Sequence, residues 1–330
     1  MTKLLITGGQ ERENGFELGE GKYYKAARLM MLNTETGEFK ELLSKTDGGE
    51  NYPHEYPNLQ YTAGWVEGNE LWLPTDTEVM LYSYPAMTLI RKCSYPFFHN
   101  IHHVRPFGDK IAVISTGLDM VVFLDRITLE PLEFVNVEGK SPWHRFSQDI
   151  DYRQHYSTRP HDGHPNFIFM LNDEYWVTRC TQEDAVSLSD VSKRIDISRK
   201  KSISVHDGHI NNNCIYFTSV DGVIIIADAV TGNIIEDFDV VSLEEKRIAK
   251  GWCRGLLIDG DTIYVGFSRL RPTRNRKKLS WLTNFSSGPK NGFPAHISSY
   301  SLSKKIKINE WNLPENSIDA IYSILSEPDA

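Results

Sequence analysis

Cysteine is scarce in this chain. The four cysteines, Cys93, Cys180, Cys214 and Cys253, are spread over 330 residues with no short paired spacing. That excludes a disulfide framework and a zinc ribbon. Long apolar runs are missing as well, so no segment reads as a bilayer crossing. The first residues read as a strand rather than a secretory leader, because only Leu4, Leu5 and Ile6 run together before Thr7. Positive charge is in deficit: 36 Lys and Arg against 44 Asp and Glu give a formal net charge of −8. A general nucleic-acid binder would be basic instead. There is no Gly-x-Ser-x-Gly elbow, no His-Glu-x-x-His and no phosphate loop; Gly208 and Gly255 open strands and make no nucleotide fingerprint. These absences lead us to expect a reduced, cytoplasmic globular protein with no nucleic-acid or membrane partner.

What the chain does have is a repeat. Hydrophobic residues make up 40% and aromatics 11%, enough for a large core. Five segments, 61–73, 102–113, 164–177, 206–217 and 251–265, each run through a tight polar turn into a β-rich strand. A spacing of roughly 40–65 residues per four-strand unit is the signature of a β-propeller. We therefore expect an all-β fold: a single six-bladed propeller over 1–330. Its blades are expected at 61–95, 101–137, 164–198, 205–240 and 252–312. The first blade closes as a one-plus-three strap, with 318–324 joining three strands within 3–43. Such closure removes open sheet edges. The turns between first and second strands are minimal. The long segments 8–27, 44–60, 138–163 and 268–295 all belong on the opposite face, where binding loops are expected.

Nine of the eleven histidines lie between 99 and 209. The repeat alignment puts His102 or His103, His164, and His206 or Asp207 at innermost positions, with Cys253 or Arg254 and Asp319 near the same level. Imidazoles converging on an axis suit a divalent metal ion, iron, zinc, manganese, copper or nickel, held by His103, His164 and His206. The same positions also suit a metal-free polar pocket. His102, Asp207 or His209 would move a proton, since imidazole titrates near neutral pH. Arg254, Arg269 and Arg271 would hold the anionic end of a small substrate. Two irregular loops add Trp143, His144, Arg145, Arg159 and His161 to the same face. Trp65, Trp72, Trp176 and Trp252 are expected to pack between blades.

The stretches His103-Val, 115–119, 164–167, 176–179, 206–208, 251–255 and 266–269 resemble a family of uncharacterised bacterial propeller-like proteins over roughly residues 60–270. The family carries no function to transfer. Fold-level analogy adds lactonases, streptogramin-type lyases, oligogalacturonate lyases and carotenoid oxygenases, all of which work at a propeller axis. The acidic and asparagine ligands of the lactonases have no evident counterpart here, and His296 sits too far out to serve as a fourth axial histidine. The leading expectation is a metal-dependent lyase or isomerase acting on a small anion, with oxidative chemistry open to an iron or copper site. The alternatives are a non-catalytic module presenting its loop-rich face to a protein or glycan partner, and a metal-free hydrolase or sugar sensor.

Overall fold

The structure, a computed structural model, describes residues 3–199, 203–243, 250–270 and 293–328. Six four-stranded antiparallel sheets form the blades of a propeller. The innermost strands, in blade order, are Ala320–Ser326, Trp65–Glu67, Ile101–Phe107, Pro165–Leu171, Val205–Asn211 and Trp252–Asp259. Blade 1 closes as the strap predicts: Ala320–Ser326 pairs with Lys3–Glu11, followed outward by Tyr24–Asn33 and Phe39–Lys45. The Thr7 and Ser323 hydroxyls meet at 2.7 Å across that joint, and Ser323 N–H donates to Thr7 Oγ1 at 3.0 Å. Among the described residues, no helix is long and apolar enough to cross a membrane.

The tight turns follow from their residues. Asn172 with Asp173, and Asn212 with Asn213, take positive φ at both central positions, the geometry that lets a two-residue hairpin match strand twist. Gaps between neighbouring blades are filled by six apolar clusters. Trp72 is wholly buried between blades 2 and 3, and Trp176 packs between blades 4 and 5.

The innermost strands depart from simple alternation in a shared way. In blades 1, 3, 4, 5 and 6 the register with the second strand shifts at one place. The residues left over are Tyr322, His102, Asn166 with Phe167, Asp207 with Gly208, and Arg254 with Gly255. A β-bulge re-aims the side chains it carries, and here each bulge faces the axis. Gly255 supplies φ +80 and Asp207 φ +52, conformations that the extra residue requires. The bulge does not end a strand, so the inner strand of blade 5 runs through it from Val205 to Asn211, and the blade begins at 205 as expected. Blade 2 has a short inner strand, Trp65–Glu67. Ala63 leaves its own sheet and pairs in parallel with His103, through Ala63 N–H to His102 O at 2.9 Å and Val104 N–H to Ala63 O at 3.1 Å.

Candidate functional site

The described long connections 8–27, 44–60 and 138–163 meet around the axis, which opens there into a cavity of about 870 Å³. A much smaller void lies beneath it, lined by His102, Asn166, Phe167, Asp207, Arg254 and Tyr322, all of them bulge residues, together with Ala63 and His206. The bulges therefore build the cavity floor.

Proton positions on the floor follow from the hydrogen bonds. Asn166 Nδ2–H donates to Val205 O at 3.0 Å, so its Oδ1 faces His102 Nδ1 at 2.6 Å. His102 Nδ1 must then be the donor, and its Nε2 is the unprotonated nitrogen. Burial, and after it the Arg254 guanidinium, pushes the His102 pKa down to about 3. His164 meets His102 edge to face, with ring centroids 5.1 Å apart. Thr158 donates its hydroxyl proton to Gly117 O and accepts from His161 Nε2 at 3.3 Å. His161 Nδ1 is left as the acceptor for His164 Nδ1–H at 2.7 Å, which leaves His164 Nε2 unprotonated. Burial first, then its histidine neighbours, holds the His164 pKa well below the usual imidazole value. Both rings are neutral bases in the cavity.

Asp119 fixes this histidine loop. Its Oδ1 accepts from the N–H groups of Gly163 (3.0 Å) and His164 (2.8 Å), while Oδ2 accepts from Asp162 N–H (2.8 Å) and Arg145 Nη1 (3.2 Å). Across the cavity Asp76 plays a similar part. It accepts from Asn58 Nδ2 at 2.6 Å and Gln60 Nε2 at 2.5 Å, and Gln60 Oε1 in turn accepts from the Tyr322 hydroxyl at 2.5 Å. Burial pushes the Asp76 carboxyl up to about 6. On the floor, Asp207 Oδ2 accepts from the Thr218 hydroxyl and from Gly255 N–H at 3.2 Å, and burial likewise pushes it up to about 6. Arg254 Nε–H donates to His206 Nε2 at 3.2 Å, and its guanidinium lies over the Tyr322 ring at 5.2 Å. Its Nη groups have no other hydrogen-bond partner among the described residues.

Of the residues singled out from sequence, His102, His161, His164, His206, Arg159 and Arg254 line the cavity, and Asp207 lines the void below. Arg159 sits at the rim, paired with Glu20. The others are placed elsewhere. His103 is wholly buried and stacked on Phe167, because the bulge at His102 turns the next residue off the axis. His209 also contacts Phe167, below the floor. Arg269 pairs with Asp319 at 3.6 Å. Trp143 packs on Phe97 and Phe134, His144 is exposed in a turn, and Arg145 braces Asp119 and Asp162. Arg271 lies outside the described residues, as do Arg274, Arg276, Lys277 and Lys278. Trp252, expected between blades, lines the cavity beside Ile203 and Val220.

The metal set of His103, His164 and His206 does not come together. His103 is behind the floor, and the Nε2 lone pair of His206 faces a guanidinium N–H. Among the described residues, no three His, Cys, Asp or Glu side chains group as a metal site. Sequence reasoning missed Asn58, Gln60, Asp76, Asn166 and Tyr322. A usable signal existed for Asp76 and Asp119: both occupy the hairpin between second and third strands of their blades.

No family model matches the chain, and no curated protein matches it. Solved structures do. A Bacteroides caccae protein of unknown function matches with a TM-score of 0.62 at 10% identity, covering 100% of both chains. A Bacteroides fragilis NCTC 9343 protein carrying the provisional name of a 6-phosphogluconolactonase matches with a TM-score of 0.54, again at 10% identity, covering 99% of this chain and 98% of that one. These likenesses establish a shared propeller fold, in keeping with the resemblance to uncharacterised bacterial propeller proteins, and they transfer no residue roles.

Proposed function

We propose that the axial cavity is an active site for a small anionic substrate and that its chemistry is proton transfer of the lyase or isomerase type. The observation that carries this reading is the floor itself. A guanidinium with unpartnered Nη groups sits beside a neutral imidazole whose basic nitrogen is fixed by Asn166. Arg254 would hold a carboxylate or phosphate oxygen pair in its fork. His102 Nε2 would take a proton from the carbon next to that group. The His102 Nε2–H so formed would return the proton to a neighbouring carbon or to a departing oxygen, and Arg254 would steady the negative charge that develops. Substrate charge would also activate the base. An anion on Arg254 offsets the positive charge that, after burial, depresses the His102 pKa. No step is routed through a metal ion, because the side chains present do not assemble a donor set for one.

The test pairs binding with turnover. Hydroxy acids, sugar acids, sugar phosphates and sugar lactones, the last suggested by the B. fragilis neighbour's name, are screened by calorimetry. Binders are then incubated in deuterated buffer and followed by proton NMR. We expect binding that Arg254→Gln abolishes, and deuterium uptake that His102→Gln slows by about 100-fold or more while binding survives. Binding without exchange would favour the non-catalytic module. Stoichiometric metal required for turnover would overturn the metal-free chemistry.

A further inference from the structure

A second cluster of polar side chains lies on the turn side of the floor. His103 and Arg105 are two residues apart in Ile101–Phe107, in regular register opposite Ile114 and Ala112, so they share one face of the strand about 7 Å apart. Ile168 N–H donates to His103 Nδ1 at 3.1 Å, which places the ring proton on Nε2. That N–H is buried with no partner among the described residues, in a side chain with no exposed surface. Phe167 contacts two imidazoles, with its centroid 3.8 Å from that of His103 and 4.7 Å from that of His209. Arg105 completes the group. Its guanidinium lies 3.8 Å over Trp65 and 4.9 Å from the Phe107 centroid.

Arg105 makes no hydrogen bond or ion pair among the described residues. Glu67 is the carboxylate that acts on it most directly, but Glu67 is bonded to Arg126 at 2.6 Å. Asp207 Oδ1 stands 3.9 Å from His209 Nε2, beyond hydrogen-bond reach, and its other oxygen is held by Thr218 and Gly255. The cluster thus combines an unneutralised guanidinium, an orphaned buried N–H and a neutral imidazole. Orphaned buried donors are rare in native proteins and ask for a partner.

We infer that this cluster, on the turn side of the floor, is a second ligand site, for a small oxyanion, with Arg105 as its principal donor and His103 Nε2–H and His209 flanking it. Stacking on Trp65 leaves the in-plane N–H groups of Arg105 able to fork onto two oxygens, as a carboxylate or phosphate presents them. Trp65, Phe107 and Phe167 wall the site and strengthen the contact by excluding water. It is separated from the loop-face cavity by the bulge residues and does not depend on what that cavity does.

The experiment titrates acetate and phosphate, at constant ionic strength, into the parent chain, Arg105→Met and Arg254→Gln. Binding is read by calorimetry, and the His103 Nε2–H resonance is followed by NMR. We expect Arg254→Gln to keep the binding step that moves the His103 resonance while losing any anion binding in the loop-face cavity, and Arg105→Met to show that step about tenfold weaker or not at all. Acetate against phosphate then separates a carboxylate ligand from an inorganic one. A movement of the His103 resonance that is undiminished in Arg105→Met, or that is lost in Arg254→Gln, would overturn the assignment. Where Arg105→Met fails to fold, the parent resonance decides: no movement with either anion would overturn it too.

Discussion

Acidification between pH 7 and pH 5 provides a stringent test of the buried polar interior. His99, His102 and His209 are held neutral, chiefly by burial, with pKa values pushed down to about 4, 3 and 3. Burial likewise holds His103 and His164 well below the usual imidazole value. An unfolded histidine takes up its proton near pH 6.5, whereas these rings refuse it. Each therefore favours the unfolded chain by about 2 kcal/mol on going from pH 7 to pH 5, or roughly 6 kcal/mol for the first three alone. Asp76 and Asp207 act in the opposite sense. Their carboxyls are pushed up to about 6, so the folded state binds protons before the unfolded state does. Stability from that source is present at low pH and is lost as pH rises through 6, which returns about 1 kcal/mol per carboxyl over the same interval. The net loss is at least about 3 kcal/mol, on the order of 5 °C in Tm for a chain of this size. Denaturant titrations at pH 7, 6 and 5 at constant ionic strength measure it. Asp207→Asn removes one compensating carboxyl, so it should be more stable than the parent at pH 7 and lose about 1 kcal/mol more on acidification. Stability that is flat or rises from pH 7 to pH 5 would refute the assignment of neutral, desolvated histidines.

Further outcomes follow from single contacts. Asp119→Ala strips three backbone donors and Arg145 of their acceptor and should cost about 3–5 kcal/mol by denaturation; a loss below about 1 kcal/mol would show that the 158–164 loop is held by something else. Asn166→Leu should change the His102 tautomer, visible as a shift of its ring nitrogen resonances, at a cost of about 1–3 kcal/mol. An unchanged spectrum would deny Asn166 its positioning role. In the strap, Ile324→Ala should cost about 2–5 kcal/mol because Ile324 has no exposed surface, whereas Ile308→Ala, on the exposed outer strand of blade 6, should lie within about 0.5 kcal/mol of the parent. Equal effects would contradict the closure of blade 1 by the last strand. Metal analysis of tag-free protein should find well under one ion per chain; a stoichiometric ion retained by His103→Ala but lost in a folded His164→Ala variant would show that donors gather in a way the floor geometry does not provide.

Much of the architecture was legible because its causes are local. Turn pairs such as Asn212 and Asn213 announce hairpins by their tolerance of positive φ. Alternating strands repeat at a fixed period, and loop lengths sort themselves onto opposite faces. The missing fourth strand of the first blade required only a count. The same pattern pointed to the cavity, since it drew His102, His164, His206 and Arg254 from separate repeats and Arg159 from a loop on the same face.

What the sequence could not settle is which member of each adjacent pair faces the axis. Strand alternation has period two, so one extra residue reverses every assignment beyond it. The bulge at His102 sent His102 into the cavity and His103 behind it, and the bulge in blade 4 brought Asn166 rather than His164 to the floor. Bulges arise from pairing with the second strand and from packing against neighbouring blades, and no residue pattern along one strand records them. The partnerships of Asp119 with the 162–164 backbone and of Gln60 with Tyr322 across the strap are likewise products of ring closure. The chain's local chemistry determined a six-bladed ring with a histidine-rich axis; only the closed ring decided which of those histidines share a cavity, and which nitrogen of each is left to act.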